Sequence, residues 1–231
     1  MPQLFLIPTS LNPEIAAPAI LTEQLQQIQH LQHFIVETAK IGRAHLKQLQ
    51  LRMPIQELTI LELNKHKHDY QALVQALEDG HDVGLLSDCG CPAVADPGNR
   101  VVSIAHALGH TISPLVGPSS ILLTLMASGL NGQKFTFHGY LPAEPAARKI
   151  RIKQLEQEIL KENSTHIFIE APFRNQKLLE ALISTLNPEL KLCVGINLMT
   201  AQQQIISKSI NEWQQQRLHL DKQEVIFLIG S

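Results

Sequence analysis

The 231-residue sequence predicts an α/β protein built from two α/β domains with mainly parallel sheets, and three observations carry that prediction. Short apolar runs alternate with segments of helical period along the whole chain, the rhythm of parallel strands covered by helices. The length exceeds one average domain and suits two of about a hundred residues each. Hydrophobic residues make up 44% of the chain and charged residues 17%, enough for packed cores and too apolar for a disordered chain.

The run LFLIPTS reads as a short buried strand ending in a loop, and residues 14–33 carry a helical pattern interrupted by Pro18. HFIVE is the second strand. Residues 38–50 form a helix with Ile41, Ala44, His45 and Leu49 on one face, and residues 69–79 form another that stops at Gly80. DVGLLSD is the third strand, residues 99–108 a helix stopped by Gly109, and TISPLVG a strand again. Pro118, Ser119 and Ser120 then start a helix over PSSILLTLMASG. KFTFHGYLP alternates cleanly, as a half-covered or edge strand does, before running into a loop. A charged helix covers 144–162, THIFIEAP is a strand, 173–186 a helix, and KLCVGIN and EVIFLIG are the last two strands. The domain boundary falls near SPLVGPSS, giving domains 1–115 and 116–231. Neither low-complexity segments nor short-period repeats occur.

A formal net charge of −2 excludes a chain that is basic throughout, so any nucleic-acid contact has to come from a local patch. No apolar run reaches the roughly 18 residues of a membrane span, and MPQLFLIPTS lacks the pattern of a signal peptide. A cytoplasmic protein with no membrane partner is the expectation. Three cysteines do not make a disulfide framework. Cys89 and Cys91 have no second pair at a zinc spacing, and the histidines of HKHD at 66–69 alternate instead of standing four apart, so no metal site is expected. The fingerprints of dinucleotide dehydrogenases, P-loop proteins and esterases are absent.

The stretch LLSDCGCPAVADPGNR, residues 85–100, concentrates the chemistry. In open α/β sheets ligands bind beyond the carboxyl ends of the strands, where this loop sits. Gly90 and Gly98 permit positive φ or close backbone approach, Pro92 and Pro97 stiffen the path, and Asp88 and Asp96 can cap amides or accept bonds from a ligand. Both readings stand: a stiff turn with Asx caps, and a ligand loop. A second cluster, ARKIRIK at 147–153, supplies Arg148, Lys149, Arg151 and Lys153, either as a phosphate-tracking patch or as a solvated helix face.

GLLSDCGCPAVADPG, SPLVGPSSILLTLMASGL, FTFHGYLP and IFIEAPFR follow one another in the order and spacing of the tetrapyrrole methylase superfamily, which the chain resembles over most of its length. Within it the sequence is most similar to the ribosomal RNA small subunit methyltransferase I group, which methylates a ribose 2′-hydroxyl. The resemblance implies S-adenosylmethionine bound in a cleft between the two domains, a homodimer, and small-subunit rRNA as substrate. By motif match, Asp88, Gly90 and Pro92 would border the methionine end of the cofactor, and Ser119, Ser120, Gly139, Tyr140, Leu141 and Thr200 would complete its pocket. A helix N-terminus suits the cofactor carboxylate.

The family's TPIGNL corresponds here to PTSLNP, AEDTR to VETAK, FYESPHR to FIEAPFR and RELTK to INLMT. Glu37, Lys40, Glu170, Pro172, Arg174 and Thr200 are kept, while several charged partners are not, so the cofactor half of the pattern is the better preserved. Glu37 and Glu170 are the candidates for proton acceptor or substrate anchor and Arg174 for holding a phosphate. A structural ion pair accounts for the same residues. Two other activities stand beside rRNA methylation: C-methylation of a tetrapyrrole, and binding of cofactor or RNA without turnover.

Overall fold

Five short apolar runs pair into one wholly parallel sheet in the computed structural model, which describes residues 1–12, 14, 18–63 and 71–231. They are β1 (Gln3–Ile7), β2 (His33–Val36), β3 (Thr59–Glu62), β4 (Val83–Leu86) and β5 (Thr111–Pro114), in the order β3-β2-β4-β1-β5. The period-two alternation of strands sends Phe5, Ile7, Phe34, Val36 and Leu86 into one apolar cluster and Leu4, Ile35, Val83 and Leu85 into another. All four residues of β4 are buried, as expected of a parallel strand covered on both faces. A Cβ on Gly84 of β4 would lie 2.7 Å from the Phe34 ring and 2.9 Å from Ile7 Cδ1. Gly84→Ala is therefore expected to destabilise this sheet by about 1–3 kcal/mol through overpacking, read from denaturant unfolding.

Helices α1 (Thr22–Ile28), α2 (Ala39–Leu46), α3 (Gln71–Glu78) and α4 (Asn99–Ala107) accompany this sheet. Of the helix expected over 14–33, the described residues show α1, which starts beyond Pro18. HKHD at 66–69 lies outside the described residues. In α2 the expected face is shifted: Gly42, His45 and Leu46 are buried with Leu49, while Ile41 and Ala44 are exposed. Gly42 sets this rotation, because a Cβ there would lie 2.6 Å from Val36 Cγ1; the helix approaches β2 through its one residue without a side chain.

The second sheet contains β6 (Phe135–Tyr140), β7 (Thr165–Ile169), β8 (Lys191–Ile196), β9 (Gln204–Ser209) and β10 (Val225–Gly230), in the order β6-β7-β10-β8-β9. With it go α5 (Ser120–Ser128), α6 (Pro145–Glu162), α7 (Asn175–Thr185) and α8 (Ile210–Gln214). β6 and β7 pair in parallel, and the other three pairings are antiparallel. Five of the eight strand pairings among the described residues are thus parallel, as predicted for the chain as a whole, and all the antiparallel ones lie in this sheet. The turn at 197–203 is too short for a parallel crossover, so β9 folds back on β8. Leu155, Ile159, Phe168, Leu178, Leu182, Val194, Trp213 and Phe227 belong to its core, where Trp213 Nε1 donates to the Leu192 carbonyl at 2.8 Å.

The chain divides into two compact units, Met1–Ser119 and Ser120–Ser231. No helix of the described residues is long and apolar enough to cross a membrane.

Candidate functional site

All five strands of the first sheet run the same way, so their carboxyl ends share one edge, and the 87–98 loop leaves β4 there. Asp88 is held from several sides. Its Oδ1 accepts from Thr38 N at 3.0 Å and its Oδ2 from Thr38 Oγ1 at 2.7 Å, while its own amide donates to Glu37 Oε2 at 3.1 Å. His45 Nε2 donates to the Asp88 carbonyl at 3.2 Å. Asp88 and Glu37 therefore fasten the end of β4 to the end of β2 and to the start of α2. Gly90 takes φ +77°, and its carbonyl accepts from Thr9 N at 2.9 Å and Ser87 Oγ at 3.1 Å, which joins the loop to the end of β1.

Further along, Pro92 is buried, and Ala93 and Ala95 adopt φ values of 66° and 62°, which non-glycine residues seldom take. Asp96 stabilises that path by accepting from Ala93 N at 3.0 Å and Gly98 N at 2.6 Å. The Asx-cap reading of the loop thus describes Asp96, whereas Asp88 ties one strand end to another. Cys91 Sγ lies 3.3 Å from the Pro118 carbonyl, with its thiol pushed up by burial; burial likewise pushes Cys193 up to about 11. Neither thiol is a thiolate at neutral pH. Among the described residues no group of three or more His, Cys, Asp or Glu side chains is arranged to hold a metal ion.

In the second sheet β10 is antiparallel to both β7 and β8, so β6, β7 and β8 end at one edge. A register shift between Phe137 and Tyr140 puts Gly139 at φ +66°, with nothing within 4 Å of where its Cβ would be. Tyr140 is exposed and Leu141 buried. Glu170 follows β7 and is 5% exposed. Its Oε1 accepts from Arg174 Nε at 2.9 Å, Arg174 Nη2 at 2.6 Å and Ala171 N at 2.7 Å, while its Oε2 is buried with no hydrogen-bond partner. Asn175, fully buried at the start of α7, donates to the Gln223 carbonyl at 2.7 Å and keeps an unpartnered Oδ1. Thr200 lies in the turn after β8, donating to the Asn197 carbonyl at 2.8 Å.

The first unit thus gathers Glu37, Asp88, Gly90 and Pro92 at one edge, and the second gathers Gly139, Tyr140, Leu141, Glu170, Arg174 and Thr200 at another. Ser119 closes the first unit and Ser120 opens α5 in the second. Sequence reasoning missed Thr38, His45 and Asn175. Thr38 and Asn175 each directly follow a candidate residue, which is the one signal the sequence offered for them. Two of the four cations of the basic run are spent within α6: Arg151 binds Glu158 at 2.8 Å and Lys153 binds Glu156 at 2.9 Å. Arg148 faces inward and Lys149 is exposed. The solvated-face reading fits Arg151 and Lys153.

Each of the two α/β units carries a carboxylate and a positive-φ glycine where its strands end, Asp88 with Gly90 in the first and Glu170 with Gly139 in the second, at the edge where open α/β sheets as a class bind ligands. The chain belongs to the tetrapyrrole (corrin/porphyrin) methylase family, whose model matches residues 15–213. It is 36% identical over 148 residues to ribosomal RNA small subunit methyltransferase I of Xylella fastidiosa, covering 63% of this chain and 52% of that protein. The protein of that name from Pseudomonas aeruginosa is 39% identical over 121 residues, 51% of this chain and 40% of its own. That of Haemophilus influenzae is 29% identical over 171 residues, 71% and 59%. The chain spans about half the length of the curated relatives it matches.

Proposed function

We propose that the chain is an S-adenosylmethionine-dependent methyltransferase that methylates a ribose 2′-hydroxyl of small-subunit rRNA. The observation that carries this reading is the placement of the family's motif residues at strand carboxyl ends, together with the relatives named for rRNA methylation. Two features fit a cofactor rich in hydrogen-bond donors: the open space beside Gly139, and the buried, unpartnered Oε2 of Glu170 at the end of the neighbouring strand. When bound, S-adenosylmethionine supplies a methyl group on a sulfonium sulfur.

Asp88, Gly90 and Pro92, with Ser119, Ser120, Gly139, Tyr140, Leu141 and Thr200, are the residues proposed to hold it. Asp88 presents its loop rigidly because its carboxylate is anchored by Thr38. Glu170 or Glu37 accepts the proton of the acceptor hydroxyl, and Arg174 orients Glu170 through its two-nitrogen contact with Oε1. A cytoplasmic homodimer is the proposed working form, for which the exposed Leu122 and Met126 on α5 supply apolar surface.

Thermal unfolding with S-adenosylhomocysteine tests the cofactor. At a hundredfold excess over its Kd the ligand adds about 2.7 kcal/mol to the native state, expected to raise the midpoint by roughly 5–10 °C. No rise in a folded, ligand-free preparation sinks the methyltransferase reading. Transfer of labelled methyl from the cofactor then identifies the acceptor. Label in rRNA at a bond made resistant to alkali supports ribose methylation, a labelled tetrapyrrole replaces it, and a thermal shift without labelling leaves a binding protein.

A further inference from the structure

Arg148, Ile152, Leu155 and Ile159 form the buried stripe of α6, and Arg148 is the charged residue at its amino end. Because α6 starts just after β6, that end lies at the same sheet edge as Gly139 and Glu170. Arg148 is 7% exposed, and its Nε is buried without a hydrogen-bond partner. Among the described residues no carboxylate forms an ion pair with it. Glu144, one turn earlier, spends its carboxylate on the amides of Ala146 and Ala147, which hold its pKa below the usual range, with the charge of Arg148 a smaller contribution. An unpaired guanidinium at that depth costs stability, so its presence points to a partner from outside the chain.

A guanidinium matches carboxylates and phosphates. The surroundings favour a phosphate. Phe173, beside Glu170 at this edge, is 75% exposed, with the Arg174 guanidinium 5.5 Å from its ring centroid. Arg174 already gives Nε and Nη2 to Glu170, whereas Arg148 Nε is buried with no partner of its own. An exposed ring and a recessed cation at one sheet edge suit unpaired RNA, the ring stacking a base and the cation pairing the backbone; a small carboxylate would account for Arg148 but leave Phe173 idle.

We propose that this edge of the second sheet docks the acceptor RNA strand, with Arg148 on a backbone phosphate and Phe173 under an unpaired base. The assignment rests on the rRNA reading above. Binding of a small-subunit rRNA transcript, measured across a salt series, tests it. Arg148→Met is expected to weaken binding about tenfold or more and to reduce the slope of log K against log salt by about 0.7–0.9, one phosphate's share. Arg148→Lys keeps the slope and loses part of the affinity. Phe173→Ala weakens binding about tenfold with the slope unchanged. All three keep the S-adenosylhomocysteine thermal shift, and Arg148→Met melts no lower than the parent, since an apolar chain replaces an unpaired buried charge.

Parent-like affinity and slope in Arg148→Met overturn the proposal. So does a midpoint that falls in Arg148→Met and returns in Arg148→Lys while RNA binding stays at the parent level in both. If the parent shows the cofactor shift yet binds no rRNA, the rRNA reading fails and this assignment goes with it.

Discussion

Glu170→Gln is expected to slow methyl transfer by about 10²–10⁴-fold while the thermal shift from S-adenosylhomocysteine persists. The amide keeps an oxygen facing Ala171 N and Arg174, so the local fold has what it needs to form. What changes is Oε2, the buried atom without a partner, which becomes a donor that cannot take a proton. The same substitution weakens the contact with Arg174. That guanidinium is 31% exposed and is partly rehydrated, so the stability cost is about 1–3 kcal/mol, below that of a fully buried pair. The two consequences separate the two accounts of Glu170. A proton acceptor loses turnover per folded molecule and the acid limb of its pH–rate profile. An ion-pair partner loses midpoint alone, and turnover within a few-fold of the parent would assign Glu170 to the fold.

The rhythm of the first sheet was legible because each of its inner strands is a short run apolar on both faces. β3 and β9 were not, and both are edge strands: TILE is only half buried, and QIISKS carries polar residues at every exposed position. Their identity comes from the neighbour they pair with, which a local pattern does not contain. The antiparallel pairing of β9 with β8 was hidden for the same reason, since its direction follows from the length of the 197–203 turn and not from the strand residues. In α2 the apolar count pointed to Ile41, whereas the closeness of Gly42 to Val36 decided the face.

At the candidate site, motif order located the loop and its carboxylates. Which atoms they bind depended on Thr38 and His45, contributed by another strand end and its helix. The buried unpartnered atoms of Arg148, Glu170 and Asn175 had no sequence signature at all, because an unmet hydrogen bond is a property of the packed chain.

Acid is expected to weaken the second unit through a pair of histidines to which the family motifs gave no role. His138 Nε2 and His166 Nδ1, on the paired strands β6 and β7, lie 2.7 Å apart with their rings stacked, and Ser164 Oγ lies 3.1 Å from His166 Nε2. One ring donates and the other accepts, an arrangement that needs at least one neutral imidazole. Burial, then the charge of His166 and then that of Arg151 lower the His138 pKa to about 4, against an opposing pull from Glu158. His166 is lowered in the same direction, again chiefly by burial, with Glu158 and Glu162 opposing. A folded pKa below the unfolded value of about 6.5 means that the unfolded chain takes up the proton first as pH falls.

Stability contributed by the neutral pair is therefore intact above about pH 6.5 and is lost as pH drops toward about 4, by at most about 1.4 kcal/mol per pH unit for each extra proton bound on unfolding. His33 in the first unit is lowered as well and adds to the total, so the informative quantity is a difference. His138→Gln keeps a hydrogen-bonding group toward His166 and removes one titration. Denaturant unfolding of parent and variant at pH 7.5, 6, 5 and 4.5 should show the variant flatter between 6 and 4.5. Parallel pH curves would mean that His138 titrates alike in the folded and unfolded chain, and that the stacked pair plays no part in the response to acid.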